Sequence, residues 1–141
     1  MLKWKLLAVL GITVGTAGVA WGLAQPTQDR RVYELRFTYA APGKLDGLVT
    51  RFRNDSKRLF EKNGMTTNGF WTVASPATES DRHLLVYLLS FPSVDAQAKA
   101  WKAFGADPEW QQALRESEKD GRLTEKGDTR TLLATDFSPL K

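Results

Sequence analysis

Acids, guanidinium groups and aromatic rings make up the reactive repertoire of this chain; nucleophiles and metal ligands are scarce. There is no cysteine, which removes disulfides, thiolate nucleophiles and Cys-ligated metals. His83 is the single histidine. It stands where a polar loop meets an apolar run, which suits a surface or edge role. A lone histidine can ligate haem iron, but nothing near it supports that, and no second His or carboxylate cluster has metal-ligand spacing. No metal and no cofactor are expected. Ser117 and Ser138 have no histidine in helical register, so neither reads as an activated nucleophile. Glu34 and Arg36 are more informative. They lie two residues apart in an alternating stretch and therefore share one face of a strand. In an apolar enclosure such a pair must neutralise itself for stability alone, and it can also hold a polar group of a ligand or carry a proton. Tyr87 and Trp71 add a phenol and an indole. Glu34, Arg36, Trp71 and Tyr87 are the candidate ligand pocket, suited to a small aromatic or carbonyl compound; no catalytic residue can be assigned. The bland alternative is that the pair is structural and that Trp71, Tyr87, Trp101, Phe104 and Trp110 mostly fill a core.

These residues need a scaffold, and the hydrophobic pattern supplies one. Arg31–Ala40 alternates, with Tyr33, Leu35, Phe37 and Tyr39 on one face and Val32, Glu34, Arg36 and Thr38 on the other. After the turn Ala41-Pro42-Gly43, the residues Leu45, Leu48, Val49, Phe52, Leu59 and Phe60 form one helical stripe. Arg51, Arg53, Lys57 and Arg58, interleaved with Asp46, Asp55 and Glu61, read as its solvated face. Asn63-Gly64 signals a left-handed helix end. Met65–Val73 is a second strand, in which Gly69 marks a bulge or a close approach. The polar stretch Ala74–Arg82 reads as a hairpin loop. Leu84–Phe91 is an unbroken apolar strand. Ser93 caps a helix with Val94, Ala98 and Trp101 at helical spacing, and Gly105 is expected to break it. Asp107 caps its continuation, with Pro108 at the first helical position and Trp110, Ala113 and Leu114 inward. Arg122–Leu133 has weak strand character and Thr135–Lys141 reads as a tail. The order β-α-β-β-α-β predicts an α+β, ferredoxin-like domain, an antiparallel sheet with both helices on one face. The third strand is apolar on both faces, so a monomer would expose one row of it. A second copy, sheet against sheet, is the simplest cover and makes a dimeric α/β barrel. Periodicity does not say which face lines that barrel.

Met1–Ala24 reads as a signal peptide: Lys3 and Lys5 give a basic start, Leu6–Ala20 is apolar, and small residues precede Gln25. The rival is an uncleaved membrane anchor, because the apolar span approaches membrane thickness. Residues 25–31 form a linker and 32–141 the domain. A periplasmic or secreted protein is expected, or, with the anchor retained, one held at the inner membrane. Hydrophobic and charged fractions of 42% and 26% are those of a globular domain. Removing Lys3 and Lys5 from the formal charge of +4 leaves +2, too little for a nucleic-acid footprint without a clustered basic patch, and none is visible.

Several stretches together resemble the NIPSNAP family: Tyr33-Glu34-Leu35-Arg36, Pro42-Gly43-Lys44-Leu45, Phe60-Glu61-Lys62-Asn63-Gly64-Met65, Gly69-Phe70-Trp71, Leu85-Val86-Tyr87-Leu88, Ala100-Trp101 with Phe104, and Asp107-Pro108-Glu109-Trp110. The resemblance covers Val32 to about Leu140. It implies a dimeric ferredoxin-like barrel and no established reaction. One position departs from it: the family commonly has His before the glycine that closes the first helix, and this chain has Asn63. The expected function is a homodimeric binding module for a small hydrophobic or aromatic ligand or a partner; the alternative is a cofactor-free enzyme similar to the small barrel monooxygenases.

Overall fold

A four-stranded antiparallel sheet carries the domain. The structure is a computed structural model and describes residues 30–141; the leader and most of the linker expected at residues 1–31 lie outside them. The strands are β1 (Val32–Ala40), β2 (Thr66–Thr72), β3 (Leu84–Phe91) and β4 (Thr124–Leu133), and they lie in the order β2-β3-β1-β4. The first and third lie side by side at the sheet centre, with Glu34 opposite Leu89, Arg36 opposite Tyr87 and Thr38 opposite Leu85. This is the ferredoxin-like α+β arrangement that the alternating and unbroken apolar runs demand.

Helices α1 (Leu45–Arg51) and α2 (Lys57–Lys62), joined by a π-helical turn at Phe52–Ser56, cover one sheet face together with α3 (Val94–Ala106) and α4 (Pro108–Ser117). The stripe expected along the first helical stretch packs inward: Leu48, Phe52, Leu59 and Phe60 are buried, with Leu45 and Val49 partly so. They meet Val32, Leu85, Tyr87, Leu89 and Phe91 from the covered sheet face, and Ala100 and Phe104 from α3.

Four details differ from the sequence reading. The π-helical turn is unforeseen, because the hydrophobic phase runs through it unbroken. Arg51, read as solvated, is buried. Helix α3 runs through Gly105 and ends at Asp107, whose extended backbone (ψ 117°) is what a following proline imposes. The inward face of α3 is Gln97, Ala100, Trp101 and Phe104, whereas Val94 and Ala98 are exposed.

The helix layer is closed by one junction. Gly64, not Asn63, takes the left-handed conformation, at φ 86°, which glycine adopts without a side-chain penalty. Asn63 is thereby free to use its side chain: its amide donates to the Leu59 carbonyl at 2.9 Å and to Asp107 Oδ2 at 2.8 Å. Asp107 also caps α4 through the Glu109 N–H at 2.9 Å and pairs with Lys62 at 3.0 Å. The hydrogen bond from Asn63, and then that from Lys62, pull its carboxyl down from 3.8 to about 2.

The other sheet face has no helix. It presents Tyr33, Leu35, Phe37 and Tyr39 from β1, and Leu84, Val86 and Leu88 from β3. Its β4 border is charged: Lys126 sits 4.6 Å from the Tyr39 ring centre, and Arg130 pairs with Asp128. The tail residues Ala134, Thr135, Ser138 and Leu140 share a groove with Tyr33 and Leu88, covering one corner.

Candidate functional site

Glu34 is the fixed point of the site. It projects from the centre of the sheet beneath α3 and is 2% exposed. A buried carboxylate must be supplied with donors, and three converge here. Trp101 Nε1 donates to Oε2 at 2.8 Å, the Gln97 amide donates to the same oxygen, and Arg36 Nη1 donates to Oε1 at 2.9 Å. Gln97 and Trp101 fall four residues apart on α3, one helical turn, so both reach the same strand position. Glu34 therefore anchors the helix layer to the sheet.

Arg36, the next residue on that face, is held differently. Its guanidinium lies 4.3 Å from the Trp101 ring centre and 6.0 Å from that of Tyr87, a cation stacked against aromatic faces. Glu34 is its single protein acceptor among the described residues, although a guanidinium carries five N–H donors. Its side chain is 30% exposed, and the exposed part borders a cavity of about 320 Å³ between sheet and helices.

On the opposite wall stands Arg51 of α1. It donates to Glu118 at 3.0 Å, Ser117 at 3.3 Å and Thr124 at 3.4 Å, and lies 5.5 Å from the Trp110 ring centre. Its Nε–H has no acceptor among the described residues. The sequence did carry a signal for Arg51: it lies three residues after Leu48 and beside Phe52, at the margin of the inward stripe.

Tyr87 completes the lining. It is buried and stacks between Phe60 and Phe70, with ring centres 5.8 and 5.9 Å away. Burial pushes its phenol up from the usual value, with the Arg36 charge acting the other way, so the hydroxyl keeps its proton and remains a donor.

Of the four candidate pocket residues, then, the fold brings Glu34, Arg36 and Tyr87 together, on the face the helices cover. Trp71 lies apart. A bulge between Thr67 and Gly69 resets the register of β2, and Trp71 pairs with Val86 on the open face, where it is 51% exposed. Its indole lies flat over Gly69, where a Cβ would run into it. Gly69 thus borders the bulge, where Asn68 is left unpaired, and also provides the close approach. His83 is half-buried at the loop, 3.5 Å from Glu79, on β3's approach and away from the cavity lining.

The NIPSNAP family profile matches residues 33–139. No curated protein matches the chain. Among solved structures, a NIPSNAP family protein from Agrobacterium tumefaciens superposes with a TM-score of 0.69 at 20% identity, covering 79% of this chain and all (100%) of that one. An uncharacterized NIPSNAP-like domain protein from Burkholderia xenovorans gives 0.67 at 18% identity, covering 79% and 90%. At such identities the likeness shows the fold. The match across almost the whole described domain, on the same stretches that form the central strands and the Asp107 junction, makes this chain a member of the NIPSNAP family.

Proposed function

We propose that the protein is an exported homodimeric binding module that holds a small aromatic anion in the cavity beneath its helices. The observation that carries this reading is Arg36: a guanidinium stacked on Trp101, fixed by one carboxylate, with its remaining donors turned toward an aromatic-walled space. Guanidinium groups favour carboxylates that take two parallel hydrogen bonds. A volume of about 320 Å³ is at the small end of ligand pockets, roughly 300–1,000 Å³, and suits a single ring. Tyr87 supplies a second donor, and Trp110 and Phe104 supply apolar walls. The dimer draws support from the apolar row of the open face, and export from Lys3, Lys5 and the small residues before Gln25.

Benzoate titration tests the site, read by the fluorescence of Trp101 and Trp110. The wild-type protein should respond saturably, and Arg36→Leu should weaken binding at least about tenfold. Arg36→Leu should also remain folded, because Glu34 keeps its bonds from Trp101 and Gln97. Arg36→Lys preserves the charge beside Glu34 but removes the planar fork, and should bind with intermediate strength. Absence of any response in the wild type, or unfolding of Arg36→Leu, would end this reading and leave the pair a structural bridge.

A further inference from the structure

We propose that a second pocket, separated from the inner cavity by the Phe52 ring, binds the chain of an amphiphilic alkyl carboxylate. The pocket has a volume of about 280 Å³. Val49 of α1, Phe52, Phe70 of β2 and Leu85 of β3 form its apolar walls, and Arg53 and Lys57 stand at its mouth. Phe52 packs against Phe60, Phe70 and Tyr87 at ring-centre distances of 6.0, 5.9 and 5.0 Å. It borders both spaces and keeps them distinct.

The charge at the mouth chooses the ligand. Arg53 is exposed and makes no ion pair among the described residues. Lys57 pairs with Glu61 at 2.8 Å, but both side chains are about half exposed, and such a surface pair is weak and readily exchanged. Asp55 of the π-helical turn lines a different groove, shared with Arg58 and with Glu109 and Gln112 of α4. Two cations thus stand above an apolar floor, and of the two only Lys57 has a carboxylate partner, Glu61. An uncharged hydrocarbon would leave Arg53 without a counter-ion, and a compact polar anion would leave the floor unfilled. A molecule with an alkyl chain and a terminal carboxylate satisfies both. Phe52 and Arg53 come from the π-helical turn, an irregularity that recurs at functional sites, and this turn sets an apolar wall and a cationic rim at adjacent positions.

Octanoate is the probe, added to the full domain and followed by methyl NMR and calorimetry. It should shift the methyl signals of Val49 and Leu85 and leave the Trp101 indole signal in place. Octanol, which lacks the charge, should bind at least about tenfold more weakly. Arg53→Gln with Lys57→Gln should bring octanoate down to the level of octanol, and Val49→Phe, which fills the pocket, should abolish binding of both. Arg36→Leu should bind octanoate as the wild type does, so this pocket stands or falls separately from the benzoate site. Shifts confined to the inner cavity, equal affinity for octanoate and octanol, or no response to octanoate would each overturn the proposal. So would adsorption to phosphatidylglycerol vesicles without any response to free octanoate, which would make the basic mouth a membrane contact. The methyl shifts are read on the wild-type chain and do not depend on any variant folding.

Discussion

On the helix-covered face of β1, Glu34 and Arg36 sit among Tyr87, Leu89 and Phe91. On its open face, Tyr33, Leu35, Phe37 and Tyr39 stand beside Leu84, Val86 and Leu88 with no helix over them. A sheet covered on one side ordinarily keeps its apolar residues under the cover and its charges outside. Here the central strand reverses this rule. The charges under the cover are tolerated because every one is answered: the Glu34 carboxylate by Trp101, Gln97 and Arg36, and the Arg36 cation by Glu34 and an aromatic face. The apolar row outside is answered only in part within one chain: Tyr33 and Leu84 are buried, while Leu35, Phe37, Tyr39, Val86 and Leu88 stay partly exposed. Charge placed inside fits the proposed ligand cavity, and apolar surface left outside fits the proposed second copy.

The sharpest way to break this comparison is to place the same charge on neighbouring residues of β3. Leu85 faces the helices and Val86 the open side. Leu85→Asp should cost about 4 kcal/mol or more, because the new carboxylate is buried without partners, and thermal unfolding would show the loss. Val86→Asp should leave the circular dichroism spectrum intact and convert the proposed dimer into a monomer, seen by sedimentation at micromolar concentration. Equal damage from both substitutions would mean that the open face is as much a core as the covered one. A wild-type chain that sediments as a stable monomer would remove the second copy altogether.

The link between cover and sheet can be probed next. Trp101→Phe keeps the ring and removes the N–H that reaches Glu34. It should lower the unfolding free energy by about 1–3 kcal/mol in chemical denaturation, the penalty for a charged acceptor losing a donor. A change near zero would mean that Gln97 and Arg36 suffice to hold the carboxylate.

The smallest effect concerns the cover alone. Asp107→Ala should lower the melting temperature by about 4–8 °C, the shift expected when a domain of this size loses a typical N-cap. The Asp107 carboxyl holds its proton less tightly folded than unfolded. Its contribution is therefore complete above 3.8 and disappears as the pH falls toward about 2. Acid unfolding curves of Asp107→Asn should be flatter than wild type across that interval and parallel to it above.

Much of the fold was legible because the hydrophobic period states it directly. The Leu84–Phe91 run, the Ser93 and Asp107 caps and the strand order required only spacing and helix-end chemistry. The break in the last helical stretch was legible in kind and misplaced by two residues, since Pro108 acts on the residue before it whereas Gly105 is merely permissive. Less of the site was legible. Period-two alternation pairs Glu34 with Arg36 but carries no sign, and with β3 apolar on both sides nothing chose the face that the helices would cover. Trp71 went to the other face because a bulge, announced by Gly69 but not by its direction, reset the count. Arg51 is hidden by its charge, which marks a solvated face, although its position beside Phe52 is at the margin of the inward stripe. The π-helical turn left no trace, since Phe52, Leu59 and Phe60 keep a plausible α-helical phase across it.

The indole laid over Gly69 makes two positions of β2 behave as one unit of inheritance. A side chain at 69 meets the ring, so substitution there must displace the half-exposed indole from the strand, whereas loss of Trp71 first is sterically free. The two positions touch, so the effects of changing them are coupled and do not simply add. A lineage that replaces Trp71 loses the aromatic edge of the open face, and once position 69 has then gained a side chain a tryptophan that returns at 71 must hold its ring off the strand.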